Sequence, residues 1–220
     1  MLLAGCSSNN IDSFSRPFVG VRYVNSPLGE EKEPDIDPLM RFDAFDCTTF
    51  VETVLAGGEV EKLNKIRYKN GEVSFVNRNH FIETDWLKNN SDVVENVSEK
   101  FAKTDIRTVV IDKQSWFKTV HGVEVEAQTE TVQLKYIPYA NIEKISNKEP
   151  LIVLFVADNP KIHDKIGTDL AVVHMGFLLP NGRLRHASSK YKQVVDVDFY
   201  DYVKQQQSET NIGIILVAIK

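Results

Sequence analysis

The chain has 220 residues, of which 42% are hydrophobic and 26% are charged, and it carries a formal net charge of −5. This composition is typical of a globular protein, and we expect one large domain. The negative net charge and the absence of a dense lysine and arginine cluster argue against nucleic acid or an anionic membrane surface as the main partner.

The N-terminal segment Leu2-Leu3-Ala4-Gly5-Cys6 resembles a lipobox, the signal at which a bacterial lipoprotein is cleaved and acylated on its new N-terminal cysteine. Only five residues precede Cys6, so most of a secretory signal is missing. Either the match is a coincidence or the signal is truncated. The second interpretation predicts lipidation at Cys6, a tether over residues 1–10 and one domain over residues 11–220. The protein would then be periplasmic or outer-membrane-anchored in a Gram-negative-type bacterium, contacting membrane only through its lipid.

The first clear helix follows an irregular lead-in. Residues 11–42 are punctuated by glycine and proline, which favours an ordered but mostly irregular segment. The first helix is predicted from Cys47 to Ala56, because Gly57-Gly58 ends the apolar pattern. A second helix is predicted over Glu59 to Tyr68.

The thiol of Cys47 has two interpretations. Free N–H groups and the positive end of the dipole at a helix N-terminus favour thiolate, so Cys47 could be a nucleophile with a pKa below its usual value of ~8.5. Cys47 also shares a helical face with Phe50, Val51 and Val54, as a small buried hydrophobe would. The helix alone favours the second interpretation.

The middle of the chain mixes element types. Asn96 to Ala102 could be helical, and Thr108 to Asp112 and Val123 to Tyr136 read as strands. Tyr139 to Ser146 predicts a short helix.

The last third predicts consecutive strands with one helix, over Asp198 to Gln207. The predicted strands are Leu151 to Ala157, Ala171 to Leu179, Arg183 to Ser188 and Asn211 to Ile219. Because these strands are adjacent or linked by hairpins, the pattern indicates an antiparallel sheet and an α+β fold.

Two histidines lie on consecutive strands of this sheet. Pro180-Asn181-Gly182 predicts the turn between the strands of His174 and His186. Since side chains alternate along a strand, a two-residue turn would place the two imidazoles on opposite faces, whereas an odd turn would set His186 opposite Gly176. We predict the odd turn, because Gly176 has no side chain and leaves room for the rings to meet.

A thiol at a helix N-terminus, an imidazole base and a group that orients the imidazole form the arrangement of cysteine hydrolases. We therefore interpret Cys47 as the nucleophile, His174 as the base and His186 as the orienting residue in an acyl transfer. The backbone N–H of Cys47 and the hydroxyl of Tyr23 are candidate oxyanion donors. The chain has five histidines but no His-Glu-x-x-His or Cys-x-x-Cys spacing, so we expect neither a metal nor another cofactor.

Four short motifs in chain order resemble the NlpC-type cysteine peptidases and amidases of the bacterial cell wall, which have a papain-like core. The motifs are Gly20-Val21-Arg22-Tyr23, Asp46-Cys47, His174-Met175-Gly176 and His186-Ala187-Ser188. The usual Ser-Gly after the cysteine is Thr48-Thr49 here, and a large insertion, roughly residues 57–150, separates the cysteine from the first histidine.

Both departures resemble the N-acetylmuramoyl-L-alanine amidase-like branch, formerly a domain of unknown function. The shared segments are Phe45 to Glu52 and Arg78-Asn79-His80-Phe81 with Asp85-Trp86. The resemblance implies cleavage of the bond between the muramyl lactyl group and L-alanine in muropeptides. The alternatives are an endopeptidase that cuts between D-glutamate and the diamino acid, an acyltransferase of the same broad fold, and a non-catalytic lipoprotein that binds cell-wall fragments.

The insertion is the natural place for substrate recognition, because loops on a rigid scaffold carry specificity. We consider three candidates there. Arg78 could bind a stem-peptide carboxylate and Trp86 could offer a flat face to a sugar, and His80 is the third candidate for substrate binding. The alternatives are a solvated charge for Arg78, a core residue for Trp86 and a loop hydrogen-bonding residue for His80.

Overall fold

The computed structural model describes residues 10–142 and 145–220. The predicted lipidation site, Cys6, and nearly all of the predicted tether therefore lie outside the described residues. Among the helices of the described ranges, none combines the length and apolar character that crossing a membrane requires.

One large sheet organises the fold, and within the described residues it has ten strands. The strands are β1 (Arg22–Tyr23), β2 (Ala44–Phe45), β3 (Val94–Asn96), β4 (Asp105–Ile111), β5 (Glu130–Pro138), β6 (Leu151–Ala157), β7 (Val172–Leu178), β8 (Arg183–Ser188), β9 (Gln193–Asp198) and β10 (Asn211–Ile219). Their order is β2-β1-β9-β8-β7-β6-β10-β5-β4, and β3 also pairs with β10. β1 and β2 are parallel, and the other pairs are antiparallel.

Short helices connect and cover the strands. They are α1 (Ile11–Ser15), α2 (Cys47–Leu55), α3 (Val60–Arg67), α4 (Leu87–Asn89), α5 (Lys113–Trp116), α6 (Pro160–Ile166) and α7 (Phe199–Gln206). Two π-helical turns, Ile82–Trp86 and Phe117–His121, adjoin α4 and α5. Five 3₁₀ turns complete the described elements: Arg16–Phe18, Lys69–Gly71, Phe75–Asn77, Ser98–Lys100 and Tyr139–Asn141.

The start of α2 is fixed by a reciprocal cap. The backbone N–H of Thr49 donates to Asp46 Oδ1 at 2.7 Å, and the backbone N–H of Asp46 donates to Thr49 Oγ1 at 3.0 Å. Such a cap stabilises a helix by about 1 kcal/mol. Cys47 is consequently held as the first residue of α2.

Helices cover both faces of the sheet, and each face carries an apolar cluster. The α2-side cluster includes Phe50, Val51, Val54, Val172, Met175 and Phe177. The α7-side cluster includes Phe155, Leu184, Phe199, Tyr202 and Val203. Cys47 is partly buried against the α2-side cluster, so the apolar face of α2 docks the helix and leaves the cysteine at its tip.

The predicted α+β class with an antiparallel sheet is confirmed, and the last third agrees best. The second predicted helix corresponds to α3, and the predicted helix over Asp198 to Gln207 corresponds to α7. The insertion adds β3, β4 and β5 to the same sheet.

The middle of the chain departs from the prediction. Val123 to Tyr136 was predicted as one strand, but β5 begins only at Glu130. Asn96 to Ala102 is the end of β3 followed by a 3₁₀ turn, because the segment pairs with β10 instead of closing a helix. Only Tyr139–Asn141 of the predicted short helix is helical, and residues 143 and 144 lie outside the described residues.

Candidate active site

The register of the β7–β8 hairpin brings the two histidines together. Phe177 lies opposite Arg185 and Leu178 opposite Leu184, and the backbone N–H of Leu179 donates to the carbonyl oxygen of Arg183, which leaves three residues, 180–182, in the turn. The same register sets His186 opposite Gly176. The Nε2 atom of His174 lies 2.6 Å from the Nδ1 atom of His186, a short hydrogen bond, so the predicted odd turn is confirmed.

Gly176 is required by this arrangement. A Cβ atom at this position would lie 2.6 Å from the Cβ of His186 and 2.9 Å from the carbonyl oxygen of Arg185, closer than real side chains approach. Only glycine therefore allows β8 to bring His186 alongside His174.

Tyr202 of α7 covers the histidine pair. Its ring centroid lies 4.8 Å from that of His186 and 6.2 Å from that of His174, and Phe155 packs 5.5 Å from His174. No sequence motif marks Tyr202. Its spacing from Phe199 on the apolar face of α7 was the available signal, but that spacing indicates only burial.

Burial disfavours the charged form of both imidazoles and so lowers their pKa values. Desolvation lowers the pKa of His174 to about 3, with a smaller effect from His186, and lowers the pKa of His186 to about 4. Both rings are consequently neutral at pH 7. One ring of the pair donates the shared hydrogen and the other accepts it.

The thiol of Cys47 meets the strand that carries His174. It lies within hydrogen-bonding reach of the backbone N–H groups of Thr48 and Met175, and Met175 is the residue after His174. After Arg185, β8 continues to pair with β9 but no longer pairs with β7. The sulfur therefore lies beside the backbone of β7, next to the position of His174.

The thiol pKa departs from the prediction. Burial, followed by the neighbouring Asp46 carboxylate, raises the pKa of Cys47 to about 11, although the N–H groups of Met175 and Thr48 act in the opposite direction. The expected lowering by the helix terminus is therefore wrong. At neutral pH the thiol is protonated and needs a base to become a nucleophile.

Tyr23 lies beside the nucleophile. Parallel pairing of β1 with β2 sets Tyr23 opposite Phe45, two residues before Cys47. Burial and the negative charges of Cys47 and Asp46 raise the pKa of Tyr23 to about 12. Its hydroxyl therefore remains a hydrogen-bond donor at the pH values where proteins work.

The structure corrects the prediction for Arg78. Its Nε and Nη2 atoms donate to Glu30 Oε1 at 2.8 and 2.6 Å, and Nη2 also donates to Asp35 Oδ2 at 2.7 Å. The Arg78 side chain is 10% exposed and that of Glu30 is fully buried. These N–H donors are occupied by carboxylates of the protein. Arg78 therefore anchors the 30–35 loop and does not offer its guanidinium group to a substrate carboxylate, contrary to the prediction from the sequence.

Trp86 and His80 are also placed differently from the prediction. Trp86 is completely buried in the α2-side cluster and cannot offer a face to a sugar. The Nε2 atom of His80 lies 2.7 Å from the carbonyl oxygen of Phe75, and its ring packs against Trp116 with centroids 4.8 Å apart. Burial lowers the pKa of His80 to about 3, so this residue organises the insertion as a neutral ring.

The described ranges contain no group of three or more histidine, cysteine, aspartate or glutamate side chains arranged to hold a metal ion. His163 lies on α6 and pairs with Asp169, with 2.8 Å between Nδ1 and Oδ1, in the connection that precedes β7.

A family model of N-acetylmuramoyl-L-alanine amidase-like (AmiA-like) proteins matches residues 13–214. The chain belongs to this amidase-like family. The match covers the candidate nucleophile, both histidines and the whole insertion.

Solved structures share the fold. A protein from Legionella pneumophila is 26% identical, with 96% of this chain and 88% of that chain covered and a TM-score of 0.83. An N-acetylmuramoyl-L-alanine amidase from Bacteroides uniformis is 22% identical, with 97% and 98% covered and a TM-score of 0.72. No curated protein matches the sequence. The family supports an amidase-like hydrolase function related to peptidoglycan.

Proposed function

We propose that this amidase-like protein is a cysteine amidase that hydrolyses the bond between N-acetylmuramic acid and L-alanine in muropeptides. The observation that carries the proposal is the 2.6 Å contact between His174 and His186 beside the strand position that the Cys47 thiol contacts. A protonated thiol needs a base, and His174 is a neutral base on that strand.

The ring that donates the shared hydrogen determines which imidazole can act as the base. If Nε2 of His174 donates to Nδ1 of His186, the Nδ1 atom of His174 carries a free lone pair that can accept the proton of Cys47. His186 then orients the ring and stabilises the positive charge that develops on it. Tyr202 covers the pair from solvent, so water does not compete for this hydrogen bond.

The reaction has two halves. The sulfur of Cys47 adds to the lactyl carbonyl carbon while its proton moves to His174, and the oxyanion accepts hydrogen bonds from the backbone N–H of Cys47 and from the hydroxyl of Tyr23. The C–N bond then breaks as His174 protonates the L-alanine nitrogen. In the second half His174 takes a proton from water, the hydroxide attacks the thioester, and the muramic acid carboxyl group and the thiol are released.

The site of action is a separate proposal. Acylation of Cys6 would tether the enzyme at the periplasmic side of a membrane, where muropeptides are released from the wall. A membrane-partition assay of the native full-length precursor, compared with its Cys6→Ala variant, tests this; equal partition of both proteins would contradict it.

The activity test uses purified muropeptides and mass spectrometry of the products. The native protein should release free disaccharide and an intact stem peptide, and Cys47→Ala and His174→Ala should lose at least 10³-fold in kcat, in line with other nucleophile and base removals. His163→Ala is the matched control, since it removes an exposed histidine outside the site.

The products also separate the alternatives. A disaccharide that still carries L-Ala-D-Glu, together with a peptide that begins at the diamino acid, would identify the endopeptidase. A new amide or ester on the muramyl carboxyl group would identify an acyltransferase. Binding without turnover would leave a cell-wall-binding lipoprotein. Loss of activity with a chelator would contradict the thiol mechanism.

A further inference from the structure

A β-bulge in β7 lies directly before His174. Phe155 of β6 pairs with His174, and the next residue, Val156, pairs with Val172, so Val173 is an extra residue on β7. Residues two apart in a regular strand share a face. Here Val172 packs in the α2-side cluster, whereas His174 contacts Phe155 and Tyr202 on the other face. The bulge therefore ends the regular pairing of β6 with β7 at His174, as bulges next to functional sites commonly do.

The side chain of Glu83 holds the start of the bulged segment. Its Oε1 atom accepts the backbone N–H of Ala171 at 2.7 Å and that of Val172 at 2.6 Å. Glu83 belongs to the π-helical turn of the insertion and is 5% exposed. A buried carboxylate of the insertion therefore binds the start of the strand that carries the candidate base.

Neighbouring N–H groups in a regular strand point in opposite directions, so one partner strand cannot accept both. The N–H groups of Ala171 and Val172 converge on one oxygen, and an unpaired buried N–H group is costly. Glu83 supplies the acceptor that strand pairing cannot provide at this point. Its second oxygen, Oε2, is buried and makes no hydrogen bond to any described residue.

We propose that Glu83 is a positioning residue for His174: by binding the N–H groups of Ala171 and Val172 it fixes the bulge at Val173, and this anchors the backbone directly before His174 so that the ring stays in contact with His186. The inference rests on the proposed cysteine and histidine chemistry. It assigns to the insertion a part in the geometry of the reaction, in addition to any part in recognition.

Three variants of the full chain separate positioning from general stability. Glu83→Gln keeps a carbonyl acceptor for both N–H groups but places an unpartnered amide NH₂ at the Oε2 position, so its Tm should fall while His174 stays in place. Glu83→Asp shortens the side chain by one methylene, which moves the carboxylate out of hydrogen-bonding distance of the N–H groups of Ala171 and Val172. Asp112→Ala is the control, because Asp112 binds a backbone N–H of the same insertion, that of Ser115, and touches no N–H group of β7.

The first measurement needs no substrate. In ¹⁵N-labelled protein, the hydrogen shared by His174 and His186 should give a slowly exchanging downfield proton signal. We expect this signal in the native protein, Glu83→Gln and Asp112→Ala, and its loss in Glu83→Asp. The second measurement is turnover of muropeptides. Glu83→Asp should lose about 10- to 100-fold in kcat with KM within about twofold, whereas Glu83→Gln should keep kcat within about threefold.

Retention of the imidazole signal and of native kcat in Glu83→Asp would overturn the proposal. Loss of both in Glu83→Gln as well as in the control would also overturn it, because the effect would then follow stability and not the acceptor. If the native protein does not turn over muropeptides, the proposed function fails, but the imidazole signal still decides whether Glu83 positions His174.

Discussion

Glu52 and Arg67 form an ion pair, with 2.8 Å between Oε2 and Nη1, that is almost completely removed from solvent: the side chains are 1% and 6% exposed. Glu52 lies on the nucleophile's helix α2 and Arg67 at the end of α3, and Arg67 also donates to the carbonyl oxygen of Leu28. One guanidinium group therefore ties together both helices and the lead-in segment.

Removing one partner of this pair should destabilise the fold strongly. Glu52→Ala leaves the Arg67 charge buried without its partner, and we expect the free energy of unfolding to fall by about 3–5 kcal/mol. Glu99→Ala, which breaks an exposed pair with Lys135, is the control and should change it by less than about 1 kcal/mol. Urea unfolding measures both, and equal midpoint shifts would contradict the expectation.

Gly176→Ala should separate the histidines. The added methyl group meets the Cβ of His186, so β8 must shift, and we expect a loss of about 1–3 kcal/mol in stability together with loss of the His174–His186 proton signal. Gly213→Ala is a matched control, because its Cβ would clash with the carbonyl oxygen of Ile137 on β5, and β10 and β6 separate that strand from the histidine-bearing strands. It should lower Tm but keep the signal.

Alkylation of Cys47 should be slow at neutral pH. Because burial raises the pKa of the thiol to about 11, the thiolate fraction rises about tenfold for each pH unit below that value. The rate of modification by iodoacetamide, followed by mass spectrometry, should rise about 100-fold from pH 7 to pH 9. A rate independent of pH between 6 and 8 would show instead that an ion pair has already formed.

Acid should destabilise the fold through the histidine pair. The pKa values of His174 and His186, about 3 and 4, lie below the unfolded value of about 6.5, so the unfolded state binds protons that the folded state does not. This contribution is complete above pH 6.5 and is lost on acidification, at up to about 1.4 kcal/mol per pH unit for each ring. Urea unfolding at several pH values should show that the free energy of unfolding depends less steeply on pH in His174→Gln than in the native protein. An equal dependence in both proteins would contradict the expectation.

Local sequence signals predicted the parts of the site that depend on neighbours in the chain. The turn residues and Gly176 gave the hairpin register, and the polar residues before Phe50 gave the start of α2. Each of these depends on backbone geometry within a few residues, so the pattern carries the information.

The remaining features depend on distant contacts. Arg78 binds Glu30, which lies 48 positions earlier in the chain. No local pattern shows that a loop folds back to occupy the donors of its guanidinium group. The thiol pKa was predicted from the helix terminus alone, but tertiary packing buries Cys47 and reverses the direction of the shift. Glu83 gave no signal because its partners are backbone groups of a strand 88 positions later.

The position of β10 has a consequence for how the protein assembles. This strand lies between β6 and β5 and also pairs with β3, so β4 and β5 reach the histidine-bearing half of the sheet only through it. In a chain synthesised from its N-terminus, β10 emerges after every strand that it joins. The pairing that joins β4 and β5 to the histidine-bearing half of the sheet therefore cannot form until β10 has been synthesised, and such late, long-range pairing is slow.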